Sequence, residues 1–200
     1  MAKERSVPLA AHCGGVIDWA CIFNNAGKNW ADLGGNSAWG QLKLGVGPSS
    51  TSDGRLALAG FALAGLPAGA DTTDLSVADS FRTQLSNASS SNKAAPDQLG
   101  RFLTTPAFAS VILSSKAQFR VADAANSSKF VVSTPEPALL DRLMVVPSAG
   151  SAAAPPPSAE LLKALSSVAA DQGWESGSTT AADLPSPGLL DQLAQLWNTK

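Results

Sequence analysis

From Pro147 to Glu160 the chain reads PSAGSAAAPPPSAE, and it runs at once into LLKALSSVAADQG, which has the spacing of a helix. Pro-rich segments are extended and semi-rigid, spanning up to about 3 Å per residue. Any fold of this chain has to be built on the two sides of that segment. The expected organisation is a compact helical core over residues 1–146, a Pro/Ala/Ser linker over 147–158 and a C-terminal helical arm over 159–200.

The same bias runs through the whole sequence. Its 35 Ala, 25 Ser and 13 Pro make 73 of 200 residues, and Tyr is absent. Ala and Ser lose little side-chain entropy on ordering, but each buries little area. Cohesion therefore has to come from a few large anchors, the five Trp and seven Phe. Three of them, Trp19, Trp30 and Trp39, lie in VIDWACIFNNAGKNWADLGGNSAWG, separated by turn signals, so each is expected on its own short helix or turn.

Further along, GVGPSSTSDG reads as a loop whose Ser/Thr/Asp cluster caps a helix over Arg55 to Leu66, where LALAG and FALAG form a near-repeat. Leu75, Val77, Ala78, Phe81 and Leu85 share one face of a second helix. PDQLGRFL suggests a short helix, and TTPAFASVILSSKAQF another, capped by Thr105 with Pro106 first. Ser127 to Ser133 is the one strand candidate, short and without an evident partner, and TPEPALLDRLMVV restarts a helix at Thr134. Beyond the linker, Ser158 caps a helix carrying Leu161, Leu162, Leu165 and Val168 that ends at Gly173. The last helix is capped by Ser186, begins with Pro187 and carries Leu189, Leu190, Leu193, Leu196 and Trp197. The fold class is mainly α.

Catalytic patterns are missing. The single histidine, His12, with Cys13 and Cys21 makes a three-member set that matches no structural zinc spacing, so no metal is assigned. A Ser-His-Asp triad has only His12 to draw on, and neither a dinucleotide fingerprint nor a phosphate loop is complete. The chain is expected not to be an enzyme and to need no cofactor. Cys13 and Cys21, with no secretory leader before them, read as free thiols of a reducing compartment, although a separation of eight residues permits pairing. The longest apolar run, Leu56 to Leu66, falls short of the roughly 20 residues of a membrane span, so no membrane partner is expected.

Charge is informative by segment. Residues 1–81 hold five basic and seven acidic groups, 82–142 seven and four, and 143–200 two and five. Within the basic middle, Arg101, Lys116, Arg120 and Lys129 are interleaved with Phe102, Phe108, Phe119 and Phe130. Cations beside aromatics neutralise phosphates and stack on bases, although the same Phe spacing also suits a core. A pI near 5.3 is far from that of a stand-alone nucleic-acid binder. A polymer of many subunits, each neutralising a few phosphates of one strand, escapes that objection.

By its Pro/Ala/Ser share and stretches such as SAGSAAAPPPSAE and LPSPG, the chain resembles the proline-alanine-serine-rich proteins of polymycoviruses, which coat the RNA genome of these fungal viruses. In length and helical content it is also similar to the helical coat proteins of rod-shaped plant RNA viruses. The resemblance implies a coat protein that self-assembles, in helical filaments, around viral RNA, found in the virion and the host cytoplasm. On that reading Arg101, Lys116, Arg120 and Lys129 contact RNA, and Trp19, Trp30, Trp39, Leu189, Leu193, Leu196 and Trp197 form subunit interfaces, the last helix filling a groove on a neighbour. The alternative is an adaptor that binds a different partner through the same C-terminal amphipathic helices.

Overall fold

The computed structural model describes residues 1–66, 75–88, 97–105, 107–122, 129–136, 138–139, 157–174 and 185–198. In chain order these form α1 (Lys3–His12), α2 (Trp19–Asn25), two single-turn 3₁₀ segments (Trp30–Leu33 and Ser37–Trp39), β1 (Leu44–Val46), α3 (Ser52–Gly65) and α4 (Leu75–Ala88). They continue with α5 (Gln98–Thr104), β2 (Val111–Leu113), α6 (Lys116–Ala122), α7 (Ala159–Asp171) and α8 (Pro187–Asn198). The fold is mainly α, as the sequence predicts.

The central helix is α3, and its ends follow from local chemistry. Thr51 accepts a hydrogen bond from the Gly54 amide at 3.2 Å, and Asp53 adds a carboxylate to the positive first turn. Leu66, extended ahead of Pro67, terminates it. The near-repeat within α3 has a packing function. A Cβ on Gly60 would stand 2.3 Å from Trp19 Cδ2, and one on Gly65 would stand 2.6 Å from Phe23 Cε1. Trp19 and Phe23 are four residues apart on α2, so two bare backbone positions on α3 seat two rings from one face of α2.

Around that contact the large anchors gather as the small-residue composition requires. Phe61 stacks on Phe23 at 5.1 Å and meets Trp19 edge-on at 6.2 Å. Phe81 of α4 approaches Phe23 at 5.2 Å, and Trp197 of α8 stacks on Phe61 at 6.5 Å. Such pairs are worth about 0.5–1.5 kcal/mol beyond their burial.

The position of α8 corrects the division into core and arm. Its start is as expected, with Ser186 accepting from the Leu189 amide at 3.2 Å. Its apolar face, however, packs on α3 and α4 of the same chain, leaving Leu193 1% and Trp197 2% exposed. The Arg55–Asp191 ion pair at 2.9 Å joins α3 to α8 at the surface, where it is worth well under about 1 kcal/mol, so the packed face holds the helix.

The stretch expected as one helix from Thr105 onward is broken in two. Val111, Ile112 and Leu113 form β2, parallel to β1 with Leu44 opposite Val111, and Gly45 leaves room for Ile112. The β-branched pair suits a strand, and Ser115 then restarts a helix by accepting from the Gln118 amide at 3.2 Å. The strand candidate at 127–133 does have a partner among its described residues. Ala2 and Phe130 form an antiparallel bridge, with Val131 donating to Met1 at 2.8 Å and Lys3 to Lys129 at 3.3 Å. Of the helix expected from Thr134, the described residues 134–136, 138 and 139 are not helical, and the remainder lies outside them, as does most of the linker.

Cys13 and Cys21, read as free thiols, are joined in a disulfide. Gly14 and Gly15, with φ of 75° and 101°, reverse the chain directly after α1 and let the first turn of α2 meet its end. The eight-residue separation that the sequence left open is closed by this turn.

Candidate functional site

The four expected nucleic-acid contacts all lie on elements that enclose a second, smaller core. Phe102, Ala109 and Phe130 are buried there, with Phe108, Ile112 and Phe119 packed around them. Phe102 and Phe130 approach to 5.0 Å. Those two rings are therefore inside and out of reach of a base, which corrects the stacking role suggested by their interleaving with cations. The cations themselves are outside. Arg101 is exposed on α5, its guanidinium 4.6 Å over the half-buried ring of Phe108. Lys116 and Arg120 are exposed one turn apart on α6, which packs on α5, and exposed Lys129 directly precedes Phe130. The alternation of cation and Phe thus records how each element turns its ring inward and its charge to water.

At the start of α5 the Asp97 carboxylate accepts from the Gly100 amide at 2.8 Å and caps the helix. Arg101 on α5 and Lys116 and Arg120 on α6 are exposed. The arrangement suits a polyanion held by point charges, with positioning by charge in place of sequence readout.

The expected interface tryptophans are placed differently. Trp19 and Trp30 are buried in their own chain, and Trp39 is half-buried. Trp30 donates its Nε1 hydrogen to Ser110 Oγ at 3.1 Å and meets Trp39 edge-on at 5.5 Å. The Arg5 guanidinium lies over both rings, 5.9 Å from Trp30 and 5.6 Å from Trp39. Ser110 also accepts from the Lys43 amide at 3.2 Å, tying α1, the tryptophan turns and β1 to the start of β2. Neither Arg5 nor Ser110 carried a signal in the sequence, because their partners are distant in the chain. Leu193 and Trp197 are buried and Leu189 and Leu196 half-buried, all on α8 within the chain. Leu193 and Trp197 are thus taken up by the chain's own core, where α8 packs on α3 and α4.

One apolar face is left uncovered. Helix α7 begins with Ser158 accepting from the Leu161 amide at 3.1 Å. It ends where Gly173, at φ 80°, and Trp174 donate back to Ala170 and Ala169 at 2.9 and 3.0 Å, as a Schellman motif does. Both ends match the expectation. Just past its C-terminal end, Gly173 lies against Ala117 of α6. Leu161, Leu162, Leu165 and Val168 remain 41–59% exposed.

Among the described residues no group of three His, Cys, Asp or Glu is placed to hold a metal ion, and the disulfide removes both thiols from the His12 set. No helix among them is long and apolar enough to cross a membrane. Compared with family models, curated proteins and solved structures, the chain matches none.

Proposed function

We propose that this chain is a structural protein that assembles in many copies around viral RNA, with no catalytic step of its own, and acts in the virion and host cytoplasm. The observation that carries this reading is α7. With α8 committed to the groove over α3, α7 is the described part of the C-terminal segment whose leucine row stands in water. A row of four large apolar residues on one helix face is covered by a partner in most proteins that carry one. The partner assigned to it is a second copy of the chain. The subunit contact expected of Leu189, Leu193, Leu196 and Trp197 thereby passes to Leu161, Leu165 and Val168.

Repetition also answers the acidic pI. Each subunit supplies only the few cations around the second core, and a chain of subunits multiplies them along one strand. Light scattering on the purified chain, with and without single-stranded RNA, tests the reading. The wild type is expected in high-mass species, and Leu161→Ser/Leu165→Ser in species at least several-fold smaller with unchanged helical content. A wild type that stays monomeric in both conditions overturns the coat reading and leaves the α7 face to a different protein, as an adaptor would use it.

A further inference from the structure

The two ends of the Cys13–Cys21 bond stand in different surroundings. Cys21, on α2, is 7% exposed and belongs to the main core, its amide donating to Asp18 Oδ1 at 2.7 Å. Cys13 caps the end of α1 and is half-buried, directly ahead of exposed Gly14 and Gly15. A Cβ on either glycine would meet nothing within 4 Å, so the chain just past Cys13 is bordered by open space. One side chain is aimed at the bond. Asn25, one turn after Cys21 and 6% exposed, donates from Nδ2 to Cys13 Sγ at 3.5 Å and to the Cys21 carbonyl at 2.8 Å. Its Oδ1 accepts from Lys28 Nζ at 2.9 Å, which fixes the orientation of the amide and polarises its N–H groups. A neutral sulfur is a weak acceptor, whereas a thiolate accepts a stronger, charge-assisted bond. The amide is therefore better used when Cys13 carries the charge.

We propose that Cys13 is a site of reversible S-thiolation by a small cysteinyl thiol of the glutathione class, with Cys21 as the resolving thiol. The thiolate of the small thiol attacks Cys13 Sγ. A new S–S bond forms there, the Cys13–Cys21 bond breaks, and its electron pair leaves on Cys21 Sγ, which takes a proton from water. In the return step Cys21 loses that proton, its thiolate attacks Cys13 Sγ, and the small thiol leaves as its thiolate. When a second small thiolate attacks the outer sulfur first, Cys13 is expelled as the thiolate that Asn25 receives, and the small thiol departs as its own disulfide. The two reducing electrons then come from the two small thiols. Exchange begins at the sulfur an incoming thiol can reach, and accessible disulfides are the labile ones. In a compartment held reducing by glutathione, a bond with one reachable sulfur is kept in turnover by that pool.

The wild-type chain with its bond closed is incubated with excess reduced glutathione, quenched with an alkylating agent and read by fragment-ion mass spectrometry. The expected species carries glutathione on Cys13 and the alkyl label on Cys21. Glutathione on Cys21, or on both cysteines equally, overturns the assignment. So does a bond that glutathione leaves intact while dithiothreitol in urea opens it. Single-thiol variants give a second measure, with circular dichroism checking that each stays folded. Offered oxidised glutathione, Cys21→Ser is expected to take up one glutathione at least about ten-fold faster than Cys13→Ser, since reactivity follows access, and equal rates again overturn the proposal. Adding Asn25→Asp to Cys21→Ser removes the amide donor at nearly constant volume and is expected to slow uptake several-fold. An unchanged rate there strikes Asn25 from the site.

Discussion

The indole of Trp197 lies stacked on the ring of Phe61, their centroids 6.5 Å apart and their planes 28° from parallel. This contact decides the architecture of the C-terminal part. Phe61 is the hub of the aromatic core, touching Trp19 and Phe23 as well, so the helix that brings Trp197 to it is a core element. The segment beyond the Pro/Ala/Ser stretch therefore contributes one helix to the core and leaves one, α7, with its leucines in water.

Truncating one side chain on each of the two helices should consequently have very unequal effects. Trp197→Ala removes a ring that is 2% exposed and is expected to cost about 3–5 kcal/mol in urea unfolding. Leu162→Ala on α7, where the side chain is 46% exposed, is expected to change stability by less than about 0.5 kcal/mol. Equal effects at the two positions would contradict the placement of α8. For the same reason, deleting everything after residue 146 is expected to unfold the core, so assembly is better probed by substitutions on α7.

Reduction of the Cys13–Cys21 bond is expected to destabilise the chain without abolishing its fold. Closing so short a loop restricts the unfolded chain by about 2–3 kcal/mol in the loop-entropy account. In a domain of this size that corresponds to a fall in melting temperature of roughly 4–12 °C. Thermal unfolding with and without a thiol reductant measures it, and Cys13→Ser/Cys21→Ser should match the reduced protein and no longer respond to the reductant.

Stability should also rise with pH between about 6 and 8. The α-amino group of Met1 donates to the Val131 carbonyl at 3.2 Å, and burial lowers its pKa from 8.0 to about 6. In that window the unfolded chain holds the proton and the folded chain has released it. The stabilising contribution is therefore complete above about pH 8 and is lost as the pH falls toward 6. The full two-unit shift corresponds to about 2.7 kcal/mol, and partial contact of the amine with water reduces the expected loss to about 1–2 kcal/mol. Urea midpoints at low and high pH measure it for a chain beginning at Met1. N-terminal acetylation removes the group while leaving His12 in place, so the acetylated protein should lose this part of the dependence.

What could be read without the structure was local. The caps at Ser158 and Ser186, the stop at Gly173, the mainly helical class and the reliance on Trp and Phe each follow from interactions within about one helical turn, or from composition. The exposure of Arg101, Lys116, Arg120 and Lys129 follows from the same short-range alternation with Phe. Tertiary structure decided the rest. Whether the leucines of α7 or of α8 would be buried depended on Phe61 and the rest of α3 and α4, far earlier in the chain, on which α8 packs. The pairing of Leu44 with Val111 turned an expected helix into a strand, and the turn at Gly14 and Gly15 converted two thiols into one disulfide. The bridge between Ala2 and Phe130 belongs to the same class, since helix periodicity and capping act over a few residues while burial rewards whichever distant surfaces fit.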